Sequence, residues 1–175
     1  MKLKFVFFLL FLSIFSTIIA QRSRVGETPE FSNNINLIAF NDSKNIDKES
    51  LTTTNKPIAV FFWLSTCGPC IKELNALKKL PELEELKDKA IIMVVSDDQP
   101  KNYTAAKTIA KKYNWPYDMY FDKGFVFRHD LLLNWFGVPQ VMVLDSDKKI
   151  VLHKFGYRTG DEKTVIAKLS ALIYN

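Results

Sequence analysis

The sequence predicts an α/β domain, in which a mixed central β-sheet carries helices on both faces. Three observations lead there. Residues 57–63 and 90–95 are unbroken apolar runs rich in strand formers, the composition of strands buried on both faces. Segments of helical period alternate with these runs. The chain then closes with an antiparallel hairpin and a last helix, which makes the sheet mixed rather than wholly parallel.

The elements follow in order. Met1-Lys2-Leu3-Lys4 is a short basic start, residues 5–15 are almost entirely apolar, and Ala20 precedes the polar Gln21-Arg22-Ser23-Arg24. This is the layout of a signal peptide over residues 1–20, with an uncleaved membrane anchor as the alternative. Its apolar run falls short of the roughly 20 residues a spanning helix needs, and Ser13, Ser16 and Thr17 interrupt it. Residues 21–34 are polar and without period, a flexible lead-in to a domain covering 35–175. Residues 35–40 alternate as a strand, 41–43 make a turn, and 47–55 form a polar connection with room for one helical turn. Residues 57–63 are the central parallel strand. A helix begins after Cys67 with Pro69 in its first turn, where a missing N–H costs nothing, runs through Leu74, Leu77 and Leu80, and stops at Pro81. A short helix at 82–87 leads into the buried strand 90–95, which ends in Ser96-Asp97-Asp98. Residues 101–113 read as a helix with Ala105, Ala106, Ile109 and Ala110 inward; 117–121 as a short strand; 125–136 as a helix. Residues 141–144 and 150–152 flank a turn at 145–147, and 162–174 form the closing helix.

Composition narrows the function. Of 175 residues, 47% are hydrophobic and 13% aromatic, enough for one packed core and incompatible with a disordered chain. Two of the 24 basic residues, Lys2 and Lys4, lie in the leader, leaving 22 against 19 acidic ones. So small an excess, scattered among acids, provides no footprint for nucleic acid.

Chemistry concentrates in Cys67-Gly68-Pro69-Cys70, which holds both cysteines of the chain. A disulfide between them would close too short a loop to add much stability. For exchange chemistry the spacing suits well, since one thiol attacks a disulfide and the second resolves the mixed disulfide. The helix start favours the thiolate, so Cys67, before the helix, is expected to be the nucleophile and Cys70, inside the first turn, the resolving residue. A zinc or copper carrier using the thiol pair is the alternative. Zinc would need two more ligands, and His129 and His153 lie far from each other and from any ligand-like spacing. No cofactor is implied.

Phe62-Trp63-Leu64-Ser65-Thr66-Cys67-Gly68-Pro69-Cys70 resembles the thioredoxin superfamily motif, most closely that of the TlpA-like exported thiol–disulfide oxidoreductases. Gly137-Val138-Pro139 resembles the cis-proline loop of that family. The resemblance runs over residues 35–174 and implies a thioredoxin-like fold with an extra N-terminal β-hairpin and an inserted segment around 101–122. It also implies that Trp63, Thr66, Gly68, Pro69, Val138 and Pro139 line the substrate groove, and that Glu73, one turn beyond Cys70, exchanges protons with the thiols. An ordinary turn at Pro139 and a solvated carboxylate at Glu73 are the plainer alternatives. The chain departs from the family pattern at four places. Thr66 stands where Trp is frequent, Phe61 where thioredoxin has a buried Asp, Asn75 where a kinking Pro is common, and Gln140 where Thr is usual.

The resulting expectation is a monomeric thiol–disulfide oxidoreductase that reduces protein disulfides outside the cytoplasm, in the periplasm or tethered facing it. Its partners would be disulfide-containing client proteins and a membrane-bound electron donor. The reducing direction rests on Gly68-Pro69, the dipeptide of thioredoxin. Peroxide reduction, which in this superfamily wants a Thr three residues before the reactive Cys, is disfavoured by Leu64.

Overall fold

A computed structural model describes residues 24–40, 44–132 and 135–174. The expected signal peptide and the turn at 41–43 lie outside the described residues.

Six strands form one mixed sheet: β1 (Leu37–Ala39), β2 (Ile58–Trp63), β3 (Ile91–Ser96), β4 (Asp118–Asp122), β5 (Gln140–Leu144) and β6 (Ile150–Phe155). Their spatial order is β1-β4-β3-β2-β5-β6. Strands β2, β3 and β4 run parallel, while β1, β5 and β6 pair antiparallel with their neighbours. Helices α1 (Lys48–Thr52), α2 (Gly68–Leu77), α3 (Glu82–Leu86), α4 (Tyr103–Tyr113), α5 (Val126–Leu131) and α6 (Asp161–Tyr174) connect and cover them. This is a thioredoxin-like fold. The N-terminal hairpin is represented by β1 and a single bridge from Leu37 to Ile46.

The period of two along β2 explains why a continuous apolar run is needed there. Ala59, Phe61 and Trp63 enter one core with Cys70, Leu74, Leu77 and residues of α3, α4 and α6. Ile58, Val60 and Phe62 enter the other, with Phe127 and Leu131 of α5. Each face receives its own layer, so no position on the strand is free to be polar.

Three elements differ from expectation. The stretch at 24–34, read as a flexible lead-in, is held against the domain. Arg24 donates to the carbonyls of Asp130 and Leu131 at 2.6 and 3.0 Å, Ser32 binds Asp130 through both N–H and hydroxyl, and Gly26 pairs with Ile150. The cause is shortage of cover: α5 has six residues, too few for its sheet face, and Phe31 and Ile35 fill the remainder. On α4, Ala105 faces solvent while Ala106 and Ala110 are buried, because Tyr103, whose ring packs on Phe40 and Phe121, sets the inward stripe. Helix α5 ends at Leu131 rather than near residue 136, its next residue Leu132 being extended.

Candidate functional site

The disulfide sits where the central strand ends. Trp63 closes β2, Leu64 to Thr66 form a short loop, and Cys67 caps α2 in extended conformation, its Sγ accepting the Cys70 N–H at 3.2 Å. Cys67 and Cys70 are joined, with Cα atoms 5.3 Å apart. Their environments are unlike. Cys67 is partly exposed between exposed Thr66 and Gly68, whereas Cys70 is only 1% exposed and packs among Trp63, Leu74 and Leu77. Pro69 is exposed beside them. The unlike burial follows from the helix: position 67 precedes the first turn, and position 70 points from it toward the sheet.

Glu73, one turn after Cys70, is 2% exposed, so the solvated-carboxylate alternative does not hold. Among the described residues it makes no hydrogen bond or ion pair. Burial pushes its carboxyl up to about 8, the charges of Asp161 and Glu162 add to the rise, and Lys154 opposes it. Lys154 is itself engaged by Asp161, which holds Asp161 below the usual carboxylate range. The result is a carboxyl mostly protonated near physiological pH, with an ionised fraction able to take up a proton, one turn from the buried Cys70.

The loop before Cys67 is tied down from β3. One oxygen of Asp98 accepts from the Ser65 N–H and the Ser96 hydroxyl, both at 2.8 Å, and the other accepts from the Ser65 hydroxyl at 2.7 Å. Asp97 pairs with Arg128 at 2.6 Å. Burial raises the Asp97 carboxyl to about 7 despite that partner. Neither aspartate was singled out from the sequence. The signal was there, since polar residues at the C-terminal end of a central strand occupy the usual site position in open sheets.

The Val138–Pro139 peptide is cis. Gln140 pairs with Phe62 across β5 and β2, so Pro139, expected in the groove but itself buried, stands level with the end of β2, where the disulfide loop begins. Val138 is partly buried against both cores. Gln140, whose effect could not be read from sequence, braces this loop: its Nε2 donates to the Gly137 carbonyl at 2.7 Å and its Oε1 lies 3.1 Å from His153 Nε2. Gly137 takes φ 99°, a left-handed conformation that favours glycine. Asn75 is explained as well, because its Oδ1 accepts the Trp115 indole N–H at 2.9 Å.

Trp63 requires a correction. Expected in the substrate groove, it is 1% exposed, with its ring edge-on to Trp115 at 5.3 Å. Its position inside β2 gives it to the sheet face under α2, in the core with Cys70 and Leu74.

Among the described residues, no three His, Cys, Asp or Glu side chains are grouped to hold a metal ion, and no helix is long and apolar enough to cross a membrane.

The Redoxin family model matches residues 25–169. No curated protein matches the chain significantly. Solved structures do. A candidate protein disulfide isomerase from Bacteroides thetaiotaomicron is 20% identical with TM-score 0.72, over 87% of this chain and 91% of that one. An uncharacterized thioredoxin-like protein from Porphyromonas gingivalis is 25% identical with TM-score 0.63, over 86% and 94%. The thioredoxin domain of a thiol-disulfide oxidoreductase from Bacteroides vulgatus is 21% identical with TM-score 0.65, over 84% and 98%.

Proposed function

The chain belongs to the Redoxin family and is a thiol–disulfide oxidoreductase, and from that premise we propose that it reduces the disulfides of client proteins outside the cytoplasm. The observation that carries the reading is the unequal burial of the two sulfurs, with Glu73, its carboxyl raised to about 8, one turn beyond the hidden one.

In the proposed cycle the Cys67 thiolate attacks a client disulfide. One client thiolate leaves and a mixed disulfide forms. Cys70 gives its proton to Glu73 when that carboxyl is ionised, the minor fraction below about pH 8, and attacks Cys67 Sγ, which expels the second client thiolate and leaves the Cys67–Cys70 disulfide. Two electrons pass to the client, and a dithiol donor returns them by the reverse exchange at Cys67. Thr66, Gly68, Pro69 and Val138 form the client-facing rim, and the buried Pro139 fixes the turn of its loop. An added Cβ at Gly68 would meet no atom within 4 Å, so space beside Cys67 stays open for a partner.

Export rests on the leader-like residues 1–20. In an oxidising compartment a reductase must be recharged, which calls for an electron donor in the membrane. Direction is tested by equilibrating the purified protein with glutathione. A potential near that of thioredoxin supports reduction, and one near the strong oxidants of the superfamily overturns it. Cys70→Ser removes the resolving thiol and is expected to accumulate clients as mixed disulfides with Cys67; recovery of none refutes protein clients.

A further inference from the structure

Two phenylalanines face water beside the rim. Phe136 is 50% exposed and Phe155 47%, and their rings meet edge to face with centroids 6.4 Å apart. Such a pair is a favourable arrangement that proteins usually bury, and here half of it is left in solvent. Tyr174, exposed to a similar degree, gives its hydroxyl and its ring face to Lys89.

The backbone holds both rings in place. Each phenylalanine is followed by a glycine in the left-handed region, Gly137 at φ 99° and Gly156 at φ 74°. An added Cβ would meet no atom within 4 Å at either position, so conformation rather than space demands glycine there. The Gly156 N–H donates to the Pro139 carbonyl at 2.8 Å, which ties the end of β6 to the loop that carries Phe136. Gln140 lies directly opposite Phe155, on the face that Met142 gives to the second core, and its side chain holds the Gly137 carbonyl. The ring pair is therefore fixed before any partner arrives and loses little freedom on binding one.

We propose that Phe136 and Phe155 form a subsite for one large apolar side chain of the client, several residues from its reactive cysteine. The pair continues the client-facing rim, since Val138 lies two residues beyond Phe136 and borders the same core as Cys67. Phe155 stands two strand spacings from Phe62, about 10 Å, and β2 ends one residue later, where the disulfide loop begins. A client segment extended from Cys67 at about 3.3 Å per residue reaches the rings within about three to six residues. Size selects the occupant. Two half-exposed phenylalanine rings offer about 200 Å². That suits one side chain and falls well short of the roughly 800 Å² per partner of a stable protein interface. An aromatic or long aliphatic side chain would displace water from both rings, whereas a charged one would lose hydration against them. The inference rests on the reduction of client disulfides proposed above.

The test measures second-order rates for the reduced protein acting on serine-rich peptides whose single cysteine is disulfide-bonded to 2-mercaptoethanol. One Phe is placed two to seven residues from that cysteine, on either side, or replaced by Ser. Hydroxyethyl disulfide, which has no peptide, reports the thiol chemistry alone. At the spacing that reaches the rings, the Phe peptide is expected to react about tenfold faster than the Ser peptide. Phe136→Ala and Phe155→Ala are each expected to cut that preference to about twofold or less and to leave hydroxyethyl disulfide unchanged, whereas Phe155→Leu, which keeps apolar surface, retains most of it. Equal rates for Phe and Ser peptides at every spacing in the wild-type protein, or a preference that survives both alanine substitutions, overturn the subsite. A fall that is the same for every peptide and for hydroxyethyl disulfide means that the rings only support the loop, and overturns it too. So does a dimer in sedimentation, or binding to phosphatidylglycerol vesicles, that the alanine variants abolish, since the patch then belongs to a second copy or to a membrane. Failure of the wild-type protein to reduce even hydroxyethyl disulfide overturns the functional reading instead.

Discussion

Replacing Glu73 with Gln tests the electrostatics of the site without touching a sulfur. Gln matches the neutral carboxyl in shape and cannot ionise. In the unfolded chain Glu73 titrates near 4.5, and in the folded oxidised protein burial holds it up to about 8. Between those values the folded state keeps a proton that the unfolded state has released, so stability falls as pH rises. At about 1.36 kcal/mol per pH unit, the interval amounts to a loss of about 5 kcal/mol at its full extent. That is a large part of the about 5–15 kcal/mol typical of a domain. The assay is urea unfolding of the oxidised protein from pH 5 to pH 9, wild type beside Glu73→Gln. Asp97 bends both curves in the same sense, its carboxyl being raised to about 7, and cancels in the comparison. The wild-type curve is expected to drop relative to the variant through this window and to run parallel above pH 8. Curves parallel throughout, within about 0.5 kcal/mol, would show that Glu73 ionises freely and would remove it from the proposed proton transfer.

Two further predictions concern its surroundings. Lys154→Met removes the one charge that lowers the Glu73 carboxyl, so the midpoint of Glu73 followed by carbon NMR is expected to move upward, and an unchanged or lower midpoint refutes the coupling. Asp98→Ala leaves the Ser65 N–H and two serine hydroxyls without their acceptor, with an expected loss of about 2–4 kcal/mol in urea unfolding; a loss below about 0.5 kcal/mol would mean that the loop is held by other contacts.

The fold and the sulfur chemistry were legible because both rest on local signals. The runs at 57–63 and 90–95 could only be strands buried on both faces, and Pro69 in a first turn could only follow an N-cap. The misreadings share a cause, since each depends on a neighbour distant in sequence. Nothing in residues 24–34 announces that a six-residue helix a hundred positions later leaves a sheet face for Phe31 and Ile35 to cover. Trp63 was placed by motif, but the parity of its strand decides its direction. Gln140 had no reading until Gly137 and His153 came within its reach, and the Asp97–Arg128 ion pair joins the end of β3 to α5 across 31 positions.

The unequal burial of the two sulfurs also governs traffic. With Cys70 sealed under the helix, client and electron donor must both react at Cys67, so they are rivals for one atom. A loaded protein cannot be recharged, and a recharging one cannot be loaded. Steady-state kinetics should therefore show parallel reciprocal plots, with each partner inhibiting competitively when in excess. Throughput in the cell then depends on both partners at once, and raising one alone in the end slows the cycle by occupying Cys67 in the wrong redox state.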